Sequence, residues 1–151
     1  MNIIQQIQKY DDQTKEKGFL VQQDLFFDKT LQENCRFVLD EPETMQMLHN
    51  FLDKIKIMDK TAQVYVSTYP LYNEQEKPFL YADTLWIDTE VSLEEIAQYF
   101  ADCRVIEPSS IDAVTREEIQ EIDFVFTEKV MGCKKFFQKK NLERIKSLYW
   151  D

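Results

Sequence analysis

The sequence predicts a mixed α+β fold, in which a mainly antiparallel sheet is centred on a hairpin and helices pack on it. Segments 62–69 and 79–88 are rich in β-branched and aromatic residues, which favour pleated, half-buried strands. Apolar residues recur every three or four positions in the flanking segments, and this spacing indicates amphipathic helices. With 151 residues, 44% of them hydrophobic, the chain is long enough for one core and short for two. We therefore predict a single domain over residues 1–151.

The two strands of the hairpin differ in how clearly they alternate. Ala62, Val64 and Val66 share one face of the first strand. The second strand has no polar side, which indicates that both of its faces are at least partly covered. Simple alternation places on one of these faces Leu80, Ala82, Thr84, Trp86 and Asp88. Because proline gives no N–H to a β-ladder, Pro70 and Pro78 are expected to mark the ends of the hairpin.

Helices and short strands are predicted before the hairpin. Apolar residues at helical spacing predict a helix over residues 2–17, and Gly18 suits its left-handed cap. We interpret residues 19–27 and 36–39 as strands. Pro42 stands where a helix can begin, and the wide apolar stripe that follows predicts a second helix packed on the sheet.

A capping box marks the first helix after the hairpin. Ser92 and Glu95 are spaced so that each side chain can reach the other residue's backbone N–H. This pattern predicts a helix that ends near Asp102. Residues 104–106 are then predicted to form a brief strand before Pro108.

The C-terminal third of the chain fits both helix and strand. A second capping box, Thr115 with Glu118, is followed by apolar residues spaced by three or four as far as Phe137, which favours a long helix. Residues 123–127 also suit a strand, because consecutive apolar residues defeat periodicity arguments over so short a span. A last helix is predicted over residues 141–150.

Glycine and histidine are too few for several kinds of catalytic or metal site. Gly18 and Gly132 are the only glycines, so no phosphate-binding loop and no G-x-S-x-G elbow can be written. His49 is the only histidine and no C-x-x-C occurs, which disfavours a structural zinc site. We expect no cofactor, no metal site and no catalytic residues.

The cysteines and the hydropathy pattern predict a cytoplasmic protein. Cys35, Cys103 and Cys133 are odd in number and widely spaced, which is typical of reduced thiols rather than of a disulfide framework. No run of about 18 apolar residues predicts a transmembrane helix. The first residues also lack the pattern of a secretory signal, so we expect no association with a membrane.

Charge is divided unevenly along the chain, which carries a net charge of −10. Residues 60–128 hold 15 acids and 4 bases, giving −11, whereas residues 129–151 hold 7 bases and 2 acids, giving +5. Residues 1–59, with 11 acids and 7 bases, add −4. A strongly acidic surface repels phosphate backbones and attracts basic proteins, so we expect no nucleic acid on the acidic face. We assign the C-terminal lysines to a helix end, where cations are favoured.

These features predict a small acidic protein-binding module that is not an enzyme. One version is an immunity protein or inhibitor that occludes a basic partner such as a toxin nuclease. Acidic complementarity speeds encounter with such a partner, and buried aromatic contacts slow its release. The candidate partner-binding residues lie in the hairpin and directly after it: Tyr72, Glu74, Glu76, Asp83, Trp86, Asp88 and Glu90.

Three alternatives belong to other classes of function. A small enzyme would use carboxylates such as Asp83 and Asp88 with a divalent metal ion. A nucleophilic pair would join His49 to Cys35 or Cys133. A structural or adaptor subunit would self-associate through the apolar face of the C-terminal helices.

Overall fold

A computed structural model describes residues 18–28 and 34–151, and the helix predicted over residues 2–17 lies outside these ranges. The described residues form a mixed α+β fold with one eight-stranded sheet and five α-helices, which confirms the α+β part of the prediction. The strands are β1 (Gly18–Gln22), β2 (Cys35–Phe37), β3 (Gln63–Tyr72), β4 (Pro78–Asp88), β5 (Ser110–Ala113), β6 (Ile122–Phe126), β7 (Val130–Gly132) and β8 (Ile145–Tyr149). The helices are α1 (Gln23–Phe26), α2 (Pro42–Met58), α3 (Leu93–Ala101), α4 (Arg116–Gln120) and α5 (Cys133–Phe137), with 3-10 turns at Arg104–Ile106 and Leu142–Arg144.

The strands follow the order β5-β8-β4-β3-β1-β6-β7 across the sheet, and β2 pairs with β4 beside the end of β8. The pairings of β1 with β6 and of β2 with β4 are parallel, and the other five pairings among the described strands are antiparallel. The sheet is therefore mixed, with antiparallel pairing in the majority. None of the helices within the described ranges is long and apolar enough to cross a membrane.

The central hairpin is longer than predicted. β3 and β4 pair from Gln63 opposite Asp88 to Tyr72 opposite Pro78, with one bulge between these ends. The prediction that prolines end both strands is wrong for Pro70, which lies inside β3. Beyond Thr68, β3 has no further partner among the described residues on the side of β1. An edge position of this kind tolerates a proline, because no ladder hydrogen bond is lost there.

A bulge in β4 reverses the alternation on which the face prediction depended. Ser67 pairs with Thr84 and Thr68 pairs with Ala82, so Asp83 has no partner residue in β3. A single extra residue moves every following side chain to the other face. The predicted face that grouped Trp86 with Leu80 and Ala82 is therefore wrong. The residues of β4 that share one core are Leu80, Ala82, Leu85 and Ile87.

Both faces of the sheet carry a core. On the first face, helices α2 and α3 bury side chains such as Phe51 and Phe100 against the strands. On the second face, Tyr65 and Trp86 pack with Phe137 of α5. The helices predicted for the first face are confirmed, including the capping box at Ser92. The second face is closed by the short helices α4 and α5.

Two helix predictions in the C-terminal third are wrong where the chain forms the strands β6 and β8, and the two-sided core explains both errors. Residues three apart lie on one side of a helix but on opposite sides of a strand. In β8, Ile145 enters the second core and Leu148 the first. The long helix predicted after Thr115 ends at Gln120, and β6 follows it, so the strand alternative over 123–127 is the one observed.

Two smaller expectations are also corrected. Residues 104–106 form a 3-10 turn, and the strand β5 begins after Pro108. Gly18 does not have the left-handed conformation that was expected of it. A Cβ atom at Gly18 would approach the carbonyl oxygen of Thr68 to 2.6 Å, so glycine is required there by close packing of two strands.

Candidate interaction surface

Part of the second face is lined by tyrosine and remains accessible. Tyr69 of β3 lies opposite Tyr81 of β4, with ring centroids 5.6 Å apart. On the other side of β4, Tyr149 of β8 lies opposite Thr84 of β4. Tyr69 is 39% exposed and Tyr149 is 37% exposed, and neither belongs to the core that α4 and α5 close. We call this surface the tyrosine patch, defined by Tyr69, Leu71, Phe79, Tyr81 and Tyr149.

Asp83 places a carboxylate among the rings of the tyrosine patch. Its Oδ1 accepts a hydrogen bond of 2.8 Å from the hydroxyl of Thr84. Burial raises the pKa of Tyr69, and the charge of Asp83 raises it further. The pKa of Tyr149 is raised first by Asp151, then by burial and by Asp83. The patch is therefore a region of negative potential formed by two carboxylates beside aromatic rings.

The outer end of the tyrosine patch carries one cation. The guanidinium of Arg36 on β2 lies 4.8 Å from the centroid of the Phe79 ring, within the range of a cation–π interaction. Arg36 faces Tyr81 across the β2–β4 pairing. Asp83 lies four residues further along β4 than Phe79, about 13 Å at ~3.3 Å per residue. The cation and the carboxylate therefore occupy opposite ends of the patch.

The hairpin loop brings three of the predicted residues together. Tyr72, Glu74 and Glu76 are all exposed at this end of the hairpin. The side chain of Asn73 orders the loop, because its Oδ1 accepts hydrogen bonds from the backbone N–H groups of Gln75 and Lys77. The loop therefore presents two carboxylates on a defined turn.

Glu76 is in the left-handed region with a φ of 59°, which costs roughly 1 kcal/mol for a residue with a side chain. We expect Glu76→Gly to raise the free energy of unfolding by about 0.5–1 kcal/mol, since glycine adopts this conformation without strain. Urea unfolding measures the change. The control is Glu74→Gly, which removes the same charge from the same loop where φ is not positive, and it should lower stability. Equal effects of the two variants would contradict the strain argument.

The remaining predicted residues are not part of one surface with the loop. Glu90 lies beyond the far end of the hairpin, about 33 Å from the loop for ten residues at ~3.3 Å each. Trp86 is only 3% exposed and packs on Phe137 with centroids 6.0 Å apart. The structure thus corrects the idea of Trp86 as an interface anchor, because the bulge at Asp83 turns it into the second core.

Asp88 is neutralised inside the protein. Its Oδ1 accepts a hydrogen bond of 2.9 Å from Nε of Arg144, and its Oδ2 lies 3.4 Å from Nζ of Lys140. Lys140 also lies 4.8 Å from the centroid of the Phe136 ring. Asp88 is therefore a partner of C-terminal cations and contributes little to an external acidic surface. Lys140 was predicted to lie at a helix end and Arg144 within the last helix. In the structure both residues connect the C-terminal segment to β4 through Asp88.

A buried carboxylate that sequence reasoning missed organises the base of the hairpin. Asp59 is 8% exposed. Its Oδ1 accepts hydrogen bonds from the hydroxyl and the backbone N–H of Thr61. Its Oδ2 accepts hydrogen bonds from the hydroxyl of Thr89 and the backbone N–H of Glu90. The Thr61 hydroxyl, then the Glu90 N–H and the Thr89 hydroxyl, hold the pKa of Asp59 well below its ordinary value. Arg144 approaches Asp59 Oδ2 to 3.6 Å. The local signal was an aspartate two residues before a threonine at a helix end, a pattern typical of side-chain turns.

Lys146 is a second buried charge near Asp59. Its Nζ donates a short hydrogen bond to the carbonyl oxygen of Thr89. Burial lowers the pKa of Lys146, and the charge of Arg144 lowers it further. No buried side-chain nitrogen or oxygen within the described ranges lacks a partner. The charges at this end of the hairpin are therefore satisfied internally, as in a structural network.

The geometry does not assemble the carboxylates proposed for a metal-dependent enzyme. Asp83 and Asp88 lie five residues apart on β4, about 16 Å at ~3.3 Å per residue. In residues 18–28 and 34–151, no group of three His, Cys, Asp or Glu side chains is close enough to hold a metal ion. Of the C-terminal helices proposed as a self-association surface, the last is the strand β8 between β4 and β5, and the short helices α4 and α5 turn apolar residues into the second core.

A cleft of about 600 Å³ lies between β2 and α2 and contains His49 and Cys35. Burial raises the pKa of Cys35 to about 12, and the charge of Asp28 contributes in the same direction. A nucleophilic cysteine needs a lowered pKa, because the thiolate is the reactive form. The thiol of Cys133, the other proposed partner of His49, donates a hydrogen bond to the carbonyl oxygen of Ile119. The environment of neither thiol suits a Cys–His nucleophile.

The described geometry defines a mixed α+β protein with an accessible, tyrosine-lined sheet face. The family model described as "Uncharacterized protein YfbO family" matches residues 1–129, and the chain belongs to this family. Comparisons with curated proteins and with solved structures gave no match. Tyr69, Tyr81 and Asp83 lie inside the matched region, whereas Tyr149 follows it.

Proposed function

We propose that this protein is a protein-binding module that holds a basic protein against the tyrosine patch. The observation that carries the proposal is an exposed aromatic sheet face with the carboxylate of Asp83 beside its tyrosine rings. Tyrosine and tryptophan are enriched in protein interfaces, where they bury large apolar areas. Accessible apolar patches on a folded surface commonly mark interaction sites.

The distribution of charge supports a basic partner. Asp83 and Asp151 lie at one end of the tyrosine patch, and the loop carboxylates Glu74 and Glu76 lie beyond its other end, where Arg36 and Lys77 partly offset them. Exposed carboxylates are also numerous after the hairpin: Glu90, Glu94, Glu95, Asp102, Glu107, Asp112, Glu117, Glu121 and Glu128. An acidic surface of this kind accelerates the encounter with a basic protein and repels nucleic acid.

Three of the seven C-terminal bases do not offset this acidic surface. Lys140 and Arg144 are paired with Asp88, and Lys146 is buried beside Thr89. The +5 charge of residues 129–151 is thus partly used inside the fold. Within residues 129–151, the positive charge left at the surface comes from lysines in and near α5, which are not among the residues of the tyrosine patch: Lys129, Lys134, Lys135 and Lys139.

One version of this function is an inhibitor or immunity protein that occludes a toxin nuclease. The active-site cleft of a nuclease is cationic, because it binds a phosphate backbone. An acidic sheet face with aromatic anchors complements such a cleft in charge and supplies apolar contact area. The proposed activity is binding and not catalysis.

The test is capture of a binding partner from the native host, followed by reconstitution from purified proteins. We compare the wild-type protein with Tyr69→Ser combined with Tyr149→Ser, which removes two patch rings. The matched control is Ile57→Ser combined with Val105→Ser, because these residues are 74% and 71% exposed outside the patch. We expect a basic partner whose affinity falls by about tenfold or more in the patch variant, roughly 1.4 kcal/mol, and falls with added salt.

Three results would contradict the proposal. The first is that no partner reconstitutes with the purified wild-type protein. The second is a partner whose binding is insensitive to salt. The third is equal weakening by the patch variant and by the control pair, which would place the interface elsewhere.

A further inference from the structure

We infer that Asp83 and the three tyrosines around it receive a single arginine side chain of the partner. The inference rests on the proposed function and names the chemical group that the tyrosine patch recognises. It follows from three features of the described residues: the bulge at Asp83, whose Oδ2 accepts no hydrogen bond from the described residues, the arrangement of the rings, and the sign of the local charge.

The bulge gives Asp83 a position that a regular strand does not provide. Because Asp83 has no partner residue in β3, its side chain is displaced from the usual alternation and lies beside Thr84. Its backbone is fixed, since its carbonyl oxygen accepts a hydrogen bond from the N–H of Trp150 at 2.9 Å. Oδ1 accepts from Thr84, whereas Oδ2 accepts no hydrogen bond within the described part of the chain. One carboxylate oxygen on a rigid element is therefore available to an external donor.

The rings form an aromatic frame around this carboxylate. Tyr69 and Tyr81 meet at an interplanar angle of 62°, so their faces form a corner instead of a flat stack. Tyr149 approaches Asp83 from β8, on the other side of β4 from Tyr69. The negative face of an aromatic ring attracts a cation, most strongly where water is partly excluded. A cation that packs against the outer faces of these rings beside Asp83 gains both ring and carboxylate interactions.

Arginine fits this frame better than lysine. A guanidinium is planar, stacks on aromatic faces and donates several N–H groups in fixed directions, whereas an ammonium is a compact, strongly hydrated charge. The same sheet face already holds a guanidinium over a ring, since Arg36 lies 4.8 Å from the centroid of Phe79. Arg36 does not occupy the frame, because Phe79 and Asp83 are four residues apart on β4.

The experiment is a titration of the whole protein with three capped amino acids. Binding is monitored through the NMR signals of the tyrosine rings. The probes are N-acetyl-arginine methylamide, the lysine equivalent and the citrulline equivalent, which has the shape of arginine without its charge. We expect saturable shifts with the arginine probe, several-fold weaker binding of the lysine probe and no binding of the citrulline probe. Weak affinity, on the order of millimolar, is expected for so small a ligand.

Two variants and one control locate the site. Asp83→Asn should weaken the arginine probe by about tenfold, since it removes the counter-ion and keeps the shape. Tyr149→Leu should also weaken it, and this variant leaves the bulge unchanged. The control is Asp112→Asn, which removes an exposed carboxylate from β5 and should change the affinity by less than about twofold.

The outcomes separate this inference from the proposed function. Absence of arginine binding, equal binding of the citrulline probe, or equal or tighter binding of the lysine probe overturns the inference. Unchanged binding by folded Asp83→Asn and Tyr149→Leu also overturns it. If a basic partner binds wild-type protein and Asp83→Asn with equal affinity, the arginine inference is wrong and the proposed protein-binding function is still supported. Arginine binding at Asp83 without any partner from the host supports the site and contradicts the proposed function.

Discussion

Replacing Asp59 with alanine is expected to lower the free energy of unfolding by about 3–4 kcal/mol. The carboxylate satisfies donors from Thr61, Thr89 and Glu90, and removing it leaves these groups without their acceptor. A buried donor that loses its acceptor costs about 1–3 kcal/mol, and the Thr89 hydroxyl is such a donor. Arg144 also loses one of its carboxylate partners. The change is measured by urea unfolding of the wild type and the variant at neutral pH.

The matched control is Asp53→Ala, which removes an exposed carboxylate from α2. This control should change stability by less than about 0.5 kcal/mol, as is usual for isolated surface substitutions. Asp59→Asn is a second informative variant. It keeps the shape and removes the charge, so its cost should lie between those of the control and Asp59→Ala. A loss below about 1 kcal/mol for Asp59→Ala would contradict the structural role assigned to this network.

The same contacts make the contribution of Asp59 depend on pH. The hydroxyl of Thr61, followed by the N–H of Glu90 and the hydroxyl of Thr89, stabilise the ionised form and lower the pKa of Asp59 from its ordinary value of 3.8. The folded state therefore binds this proton less readily than the unfolded state. The stabilisation is fully present above the unfolded-state pKa and is lost as the pH falls through the lower folded-state pKa. The difference in stability between wild type and Asp59→Ala should shrink as the pH falls below about 4.

The elements that could be predicted from the sequence are those whose signal is local. The helix α2 and the helix α3 after Ser92 were predicted correctly, because a proline start, a capping box and a one-sided apolar stripe all act within a few residues. The presence of the central hairpin was also predictable, since β-branched and aromatic residues fill both strands. Its ends were not, because Pro70 is tolerated by an edge that only the neighbouring strand β1 defines.

The elements that could not be predicted depend on what covers them. Ile145 and Leu148 are three apart, a spacing that favours a helix over one core. Here each residue enters a different core, because helices cover the sheet on both sides, and the segment is the strand β8. The mixed pattern of the second hairpin strand indicates that both faces are partly covered, but nothing within residues 145–149 shows that this segment pairs with that strand, so periodicity alone gives the wrong element.

The candidate surface shows the same division. Asp83 could be singled out as a carboxylate among apolar neighbours on a strand. The bulge that exposes it depends on the register of β3 with β4, and Tyr149 reaches it only because residues 145–149 are a strand. Arg144 meets Asp59 and Asp88 through contacts between residues more than 50 positions apart, which a sequence pattern does not report.

Trp86→Ala is expected to lower the free energy of unfolding by about 3–5 kcal/mol, the usual cost of deleting a large buried aromatic side chain. Trp86 is 3% exposed and packs on Phe137, so its removal leaves a cavity in the second core. Urea unfolding with unchanged m value measures the loss. Tyr149→Ala is the matched comparison, because it removes a ring that is 37% exposed and should cost about 1 kcal/mol or less.

For partner binding, we expect the opposite order: Tyr149→Ala should lower the affinity more than Trp86→Ala. Because Trp86 is inside the core, folded Trp86→Ala protein, kept at low temperature and without denaturant, should retain the affinity for the basic partner within a fewfold. Tyr149→Ala should lose about tenfold, since its ring belongs to the accessible surface. A Trp86→Ala variant of nearly wild-type stability that no longer binds would make Trp86 an interface anchor after all. That result would contradict the conclusion that the bulge at Asp83 removes Trp86 from the partner-binding surface by turning it into the second core.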